Sequence, residues 1–197
     1  LGVIVIATPL LWMALTSVKT FAESMQAPPT IFPAVWQFAN YERVLQKTEF
    51  LRYFSNTLFV TVVKTVGQLL FCSMAAFAFA TMRFPWKNTL FLLVLSVMML
   101  PHQLALLPTF ILMKQLGWLN TYQALIVPGL ASGFGIFLLR QFFLSLPVEI
   151  GEAAKMDGAS YPRIYWSLYM SLSKPGLISL SIFVIIASWN DFLNPLI

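Results

Sequence analysis

Residues able to make or break covalent bonds are scarce in this chain. It holds one histidine, His102, and one cysteine, Cys72, far apart in sequence. A metal centre needs several such ligands together, and a nucleophile needs a base beside it. Neither pattern is present, so no catalytic residue, metal site or cofactor is expected, and a single thiol leaves no disulfide framework. There is no Gly-x-x-x-x-Gly-Lys-Ser/Thr motif to cradle nucleotide phosphates either. The side chains that could do other work fall in two places. One is a compact polar segment from Leu146 to Ser160. The other is a set of polar residues within apolar runs: Lys64 and Gln68, His102 and Gln103 after Pro101, and Trp189-Asn190-Asp191.

The compact segment carries helix signals at short range. Pro147 suits a first helical position, where a missing N–H costs nothing. Glu149 and Glu152 follow near the positive end of the helix dipole. Gly158 suits the left-handed residue that ends a helix, and Ser160 can cap a second helix through Trp166. Two short helices joined by a tight turn are expected, with small Ala153 and Ala154 beside Glu152 so that the unit fits a groove on another protein. The same signals also suit a solvated connector whose charges keep it out of the bilayer; helix signals alone do not choose between them.

Polar groups inside apolar runs are costly in lipid and often mark a pathway. Trp189, Asn190 and Asp191 are the candidate translocation-path contacts, against the plainer reading that Asp191 sits hydrated at an interface. Lys64 and Gln68, one turn apart, form a second stripe in which Lys64 is expected to snorkel. His102 and Gln103 are expected at a helix break, serving a kink and interhelical hydrogen bonds. Trp12, Trp36, Trp86 and Trp118 read as interfacial aromatics.

The elements that position these groups follow from composition. Of 197 residues, 59% are hydrophobic and 10% charged, with mean hydropathy +0.80. A soluble domain carries about 25% charged residues, so lipid is the expected solvent and the fold class is an all-α polytopic transmembrane bundle. The net charge of +5 does not point to nucleic acid, because the basic residues are scattered through links between spans. The first apolar stretch lacks the basic region and cleavage site of a signal peptide. Runs near the roughly 20 residues a transmembrane helix needs occur at 1–18, 56–80, 89–107, 122–143 and 175–194, with a short link at 108–121. The organisation expected is a first transmembrane helix (1–18), an extracytoplasmic loop (19–55), and a transmembrane domain (56–197) whose loop 144–174 faces the cytoplasm. That orientation puts Arg83, Lys87, Arg140, Lys155, Arg163 and Lys174 inside, and leaves Lys114 alone in the short outer link. The chain begins at Leu1 without Met and stops at Ile197 within an apolar run, so it is expected to be a piece of a longer protein.

Glu152-Ala153-Ala154 followed by Asp157-Gly158-Ala159 resembles the "EAA" loop of binding-protein-dependent ABC importer permeases of the type-1 fold. Further segments resemble the carbohydrate-uptake, maltose-type branch: Phe50 to Thr57, Met82-Arg83-Phe84-Pro85, Leu116 to Thr121, Phe137 to Phe143, and Ser188 to Phe192. One departure is Met170-Ser171, where the family usually has Leu-Pro. The resemblance implies that Glu152, Ala153, Ala154, Asp157 and Gly158 contact a cytoplasmic ATP-binding subunit. It also implies a second, distinct permease chain, an extracytoplasmic solute-binding protein, alternating access in the cytoplasmic membrane, and a sixth span beyond Ile197. Permeases for peptides, amino acids or phosphate share the EAA loop. A membrane-embedded enzyme would need the clusters absent above, and an ion-coupled transporter would be expected to show carboxylates in central spans. The spans at 56–80, 89–107 and 122–143 contain none.

Overall fold

Helices are the regular elements of the described residues, which are 2–47 and 49–196 of a computed structural model, apart from the side chains of Ile4, His102 and Leu196. The chain divides into two units, Leu1–Ser55 and Asn56–Ile197. The first contains α1 (Gly2–Ser17), α2 (Phe21–Ser24) and α3 (Ala39–Lys47). The long α4 (Phe50–Thr81) leads into the second, followed by α5 (Lys87–Met98), α6 (His102–Gln115) and α7 (Tyr122–Ile126). After a 3-10 turn, Val127–Gly129, come α8 (Gly133–Leu144), α9 (Val148–Met156) and α10 (Tyr161–Ile164). A π-helical turn, Tyr165–Tyr169, precedes α11 (Met170–Leu172), α12 (Lys174–Trp189) and α13 (Leu193–Leu196).

In the second unit α4 buries a polar and small stripe and exposes an apolar one. Thr61, Thr65, Gln68, Cys72 and Ala76 are buried, at the three- and four-residue spacing of one helix face. Phe59, Val62, Val66 and Phe71 are exposed. This is the pattern expected when lipid is the solvent: apolar groups gain nothing by hiding, while small and hydrogen-bonding groups draw helices together. Gln68 Nε2 donates to Ser132 Oγ at 2.6 Å, and Thr61 Oγ1 donates to Ser188 Oγ at 3.3 Å. The apolar core lies at one end, where Phe77 packs edge-on to Tyr169 and Phe143 does the same. Leu139 of α8 and Leu180 of α12 complete it.

Among the described residues helix α4 alone is long and apolar enough to cross a membrane, and counting each bent helix pair as one span raises the number to four. At 1.5 Å per residue α4 is roughly 48 Å long, against a hydrocarbon core of about 30 Å. The expected span 1–18 corresponds to the shorter α1, with Leu1 outside the described residues. Of the other three expected spans, 89–107 and 122–143 are broken and 175–194 is shortened. Between α5 and α6 the chain turns by 102°, because Pro101 forces Leu100 out of helical conformation. The expected link at 108–121 is therefore largely helix: α6 runs through Pro108 to Gln115. The expected reading of His102 concerns a side chain outside those described. Pro128 and the Ser132 cap, whose Oγ accepts from Gly135 N at 3.0 Å, bend 122–143 by 41°. The expected span 175–194 ends at Trp189, and at Ser173 it meets the Tyr161–Leu172 segment at 78°. Replacement of the family's Leu-Pro by Met170-Ser171 does not straighten the chain, since Pro175 opens α12.

Gly133 lies tightly against α5. A Cβ there would stand 2.7 Å from Met98 Cγ and 2.8 Å from the Val94 carbonyl oxygen. Met98 can swing aside but a backbone carbonyl cannot. Gly133→Ala is expected to cost about 1–3 kcal/mol, the usual range for overpacking, and to lower the melting temperature in detergent by several degrees. A variant that melts with the wild type would show that α5 has room to move away.

In the first unit, the described part of the expected loop 19–55 contains α2, α3 and the start of α4. Thr20 and Glu23 form a capping box at α2. Glu23 also accepts from Ala34 N at 2.7 Å, and that bond, with the one from Thr20 N, holds its carboxyl below the usual glutamate range. Lys19 is buried, donates to the Thr30 carbonyl, and lies 4.9 Å from the Trp12 ring centroid.

Candidate functional site

The segment singled out for its helix signals folds as α9, a tight turn and α10. Helix α9 starts at Val148, so Pro147 is its N-cap, one residue earlier than expected, and Glu149 alone lies in its first turn. Gly158 has φ +77°. Its N–H donates to Lys155 O at 3.0 Å, and Ala159 N–H donates to Ala154 O at 2.9 Å. These are the paired bonds of a Schellman turn, with Ala154 and Ala159 supplying the apolar contact beneath it. Ser160 occupies the N-cap position of α10, but its side chain makes no cap bond. Pro162 in the first turn removes one of the N–H groups it would serve.

The two sides of α9 differ. Gly151 is buried, and a Cβ there would come 3.1 Å from Tyr169 Oη. The helix is thereby seated on the aromatic core. Glu149, Glu152, Ala153 and Met156 share the outward face at three- and four-residue spacing. Asp157 and Gly158 are exposed at its end, while Ala154 is half-buried. Met156, 89% exposed, is a residue the sequence reading missed, although its spacing from Glu152 and Ala153 was there to read. The outward face thus offers a flexible apolar knob, a small step at Ala153 and two carboxylates, held by a rigid turn.

The second constellation joins residues from opposite ends of the second unit. Lys64 Nζ stands 3.9 Å from Asp191 Oδ2, and their side chains are 18% and 19% exposed. Lys64 therefore meets a counter-charge rather than snorkelling away, and this pairing could not be read from residues so far apart in sequence. Its stem lies against Gly129, where a Cβ would collide with Lys64 Cε. Asp191 also caps α13, accepting from Asn194 N at 3.2 Å and Asn194 Nδ2 at 2.7 Å. Asn190 Nδ2 bonds back to Ile186 O at 2.8 Å, closing the end of α12, and Trp189 is 43% exposed. Among the described residues no group of three or more His, Cys, Asp or Glu side chains could hold a metal ion.

The family model described as "Binding-protein-dependent transport system inner membrane component" matches residues 68–196. That range includes α9, its turn and Asp191, and begins just after Lys64. Protein LplC of Bacillus subtilis (strain 168) is 34% identical over 189 residues, 96% of this chain and 63% of its own length. The arabinooligosaccharides transport system permease protein AraQ of Halalkalibacterium halodurans is 34% identical, over 96% of this chain and 69% of its own. The sn-glycerol-3-phosphate transport system permease protein UgpE of Yersinia pestis is 32% identical over all of this chain and 72% of its own. This chain thus spans about two thirds of the length of these relatives. A crystal structure of a bacterial ABC transporter involved in import of the acidic polysaccharide alginate aligns with TM-score 0.87 and 28% identity. That alignment covers 96% of this chain and 67% of the other. The chain belongs to the family of binding-protein-dependent transport system inner membrane components.

Proposed function

We propose that this chain is the membrane-spanning permease subunit of an ABC importer that moves a sugar or sugar-like solute into the cell. ATP hydrolysis falls to partner subunits, and a solute-binding protein delivers cargo from outside. A second, distinct permease chain completes the path in the cytoplasmic membrane. The observation that carries this reading is α9: a short helix pinned on its inner side by Gly151 and Tyr169, ended by a Schellman turn, with an outward face of Glu149, Glu152, Ala153 and Met156. Such a rigid lever, seated in a socket on an ATPase, couples a partner's closure to the helices behind it, which is what an element with two arrangements must do. Glu152, Ala153, Ala154, Asp157 and Gly158 are assigned to this coupling, with Ala154 acting from beneath by packing. Asp191, with Trp189 and Asn190 beside it, is assigned to the solute path, and its contact with Lys64 makes that end of α12 a polar point between helices.

The solute class rests on the relatives. AraQ is named for arabinooligosaccharides, and the aligned crystal structure concerns alginate import. UgpE is named for sn-glycerol-3-phosphate, which favours phosphorylated polyols as the second reading. The test is reconstitution of the full-length chain with its ATPase, permease partner and binding protein in proteoliposomes. Hydrolysis is expected to rise when sugar-loaded binding protein is added, with labelled sugar accumulating inside. Uptake that proceeds without ATP and follows an ion gradient would overturn the assignment. Stimulation by a peptide or amino acid and by no sugar would overturn the solute class alone.

A further inference from the structure

Behind α9 lies an open cavity of about 490 Å³ that shares only Glu152 with the outward face. It is bounded by the end of α4, the start of α5, the end of α8, and α9 and α10. Arg83, Lys87 and Lys155 line it with a single carboxylate, Glu152, and Phe77 and Ile164 are among the apolar side chains beneath. The charged groups acting most on Lys87 are Arg140 and Arg83, both cations. Arg140 is committed elsewhere, donating to Phe79 O at 3.2 Å with its guanidinium 4.1 Å from the Phe91 ring centroid. Lys87 donates to Met82 O at 2.9 Å and to Ala80 O at 3.5 Å, which leaves one of its three donors free. Arg83 makes no hydrogen bond or ion pair among the described residues and is exposed. Lys155 Nζ lies 4.8 Å from the Tyr161 ring centroid, and Glu152 is the one carboxylate lining the cavity, so among the described residues positive charge is in excess there.

Trp86, between Arg83 and Lys87, points to the kind of ligand. It is 75% exposed and held at φ +62°, a conformation bulky residues rarely adopt. An indole held out where two apolar helices meet marks the depth at which a bilayer gives way to water. A basic pocket between helices at that depth, with an apolar floor, matches an anionic lipid headgroup with its acyl chains leading away into the bilayer. Free phosphate would satisfy the cations equally, and it is the exposed Trp86 beside them that favours a headgroup at the bilayer surface.

We propose that this cavity binds the headgroup of an anionic phospholipid, with its phosphate held by Arg83, Lys87 and Lys155. The proposal rests on the membrane-spanning reading and is independent of the solute. The test uses the assembled importer in nanodiscs of phosphatidylcholine with a minor fraction of phosphatidylglycerol. Lipid that stays with the protein after brief detergent exchange is identified by mass spectrometry. Wild type is expected to enrich phosphatidylglycerol several-fold over its bulk fraction, and Arg83→Gln with Lys155→Gln to lose that enrichment. Arg83→Lys with Lys155→Arg should keep it, as should Arg163→Gln, a cation outside this cavity. Enrichment that survives the double Gln substitution, or that Arg163→Gln removes equally, overturns the proposal. So does absence of enrichment in the assembled importer, where a docked ATPase would then occupy the cavity. Thermal stabilisation by inorganic phosphate, lost in the double Gln variant and unmatched by phosphatidylglycerol, would identify a free-anion site and overturn the lipid. The readout needs no ATP hydrolysis, so its failure leaves the transport reading untouched.

Discussion

Gly158→Val is expected to abolish the rise in ATP hydrolysis that the proposed function assigns to loaded binding protein in the reconstituted importer, while Gly158→Asn is expected to keep most of it. The reason is backbone conformation and not space. Nothing lies within 4 Å of a Cβ built on Gly158, but its φ is +77°. An L-residue in the left-handed region loses roughly 1–2 kcal/mol, asparagine tolerates it, and a β-branched residue is a marked outlier there. Since 1.36 kcal/mol is a factor of ten, valine shifts the turn about tenfold or more away from this geometry. The bonds to Lys155 O and Ala154 O go with it, and α9 stops being a rigid lever. The order of retained stimulation should run Asn, then Ala, then Val, with membrane insertion and basal hydrolysis equal in all. Full stimulation in the valine variant would remove α9 from the coupling path. An Ala153→Arg variant tests the outward face separately, because that position is exposed and the change leaves the turn alone. Loss of stimulation there, with the turn intact, would place the partner on this face.

Breaking the contact between Lys64 and Asp191 from one side is expected to cost far more than removing both charges. A fully buried pair that loses one partner is destabilised by about 3–5 kcal/mol. About a fifth of each side chain is exposed here, so roughly 2 kcal/mol is expected for Asp191→Ala or for Lys64→Met. Asp191→Ala also removes the cap of α13, and should be the worse of the two. The double variant Lys64→Met with Asp191→Asn retains an acceptor for that cap and leaves no uncompensated charge, so it should recover most of the stability. The coupling energy comes from a double-mutant cycle on unfolding in detergent, with solute transport measured on the same samples. Recovered stability without recovered transport would give the charges a role in the path beyond holding the helices. Single variants as stable as wild type, with additive effects, would mean the 3.9 Å approach contributes nothing. Gly129→Ala offers an independent check, since the added methyl displaces the Lys64 stem and should mimic part of the single-variant loss.

The features that the sequence determines alone are those closed by bonds between near neighbours. The α9 turn is of this kind: Gly158 reaches back to Lys155 and Ala159 to Ala154, so residue types at short spacing sufficed to expect it. Apolar run lengths are equally local, which is why the all-helical class and the approximate span positions were legible. Where each run would break was less so. Both Pro101 and Pro108 were visible, but the choice of Pro101 as the break and Pro108 as a residue inside α6 depends on what surrounds each helix, because neighbours decide whether a freed carbonyl is answered. The side of α4 that turns inward, the seating of Gly151 on Tyr169, and the meeting of Lys64 with Asp191 all required the tertiary structure. Periodicity shows that a helix has faces, but when lipid is the solvent apolarity does not say which one is buried. That was decided by packing and hydrogen bonding with distant partners such as Ser132, Ser188 and Asp191.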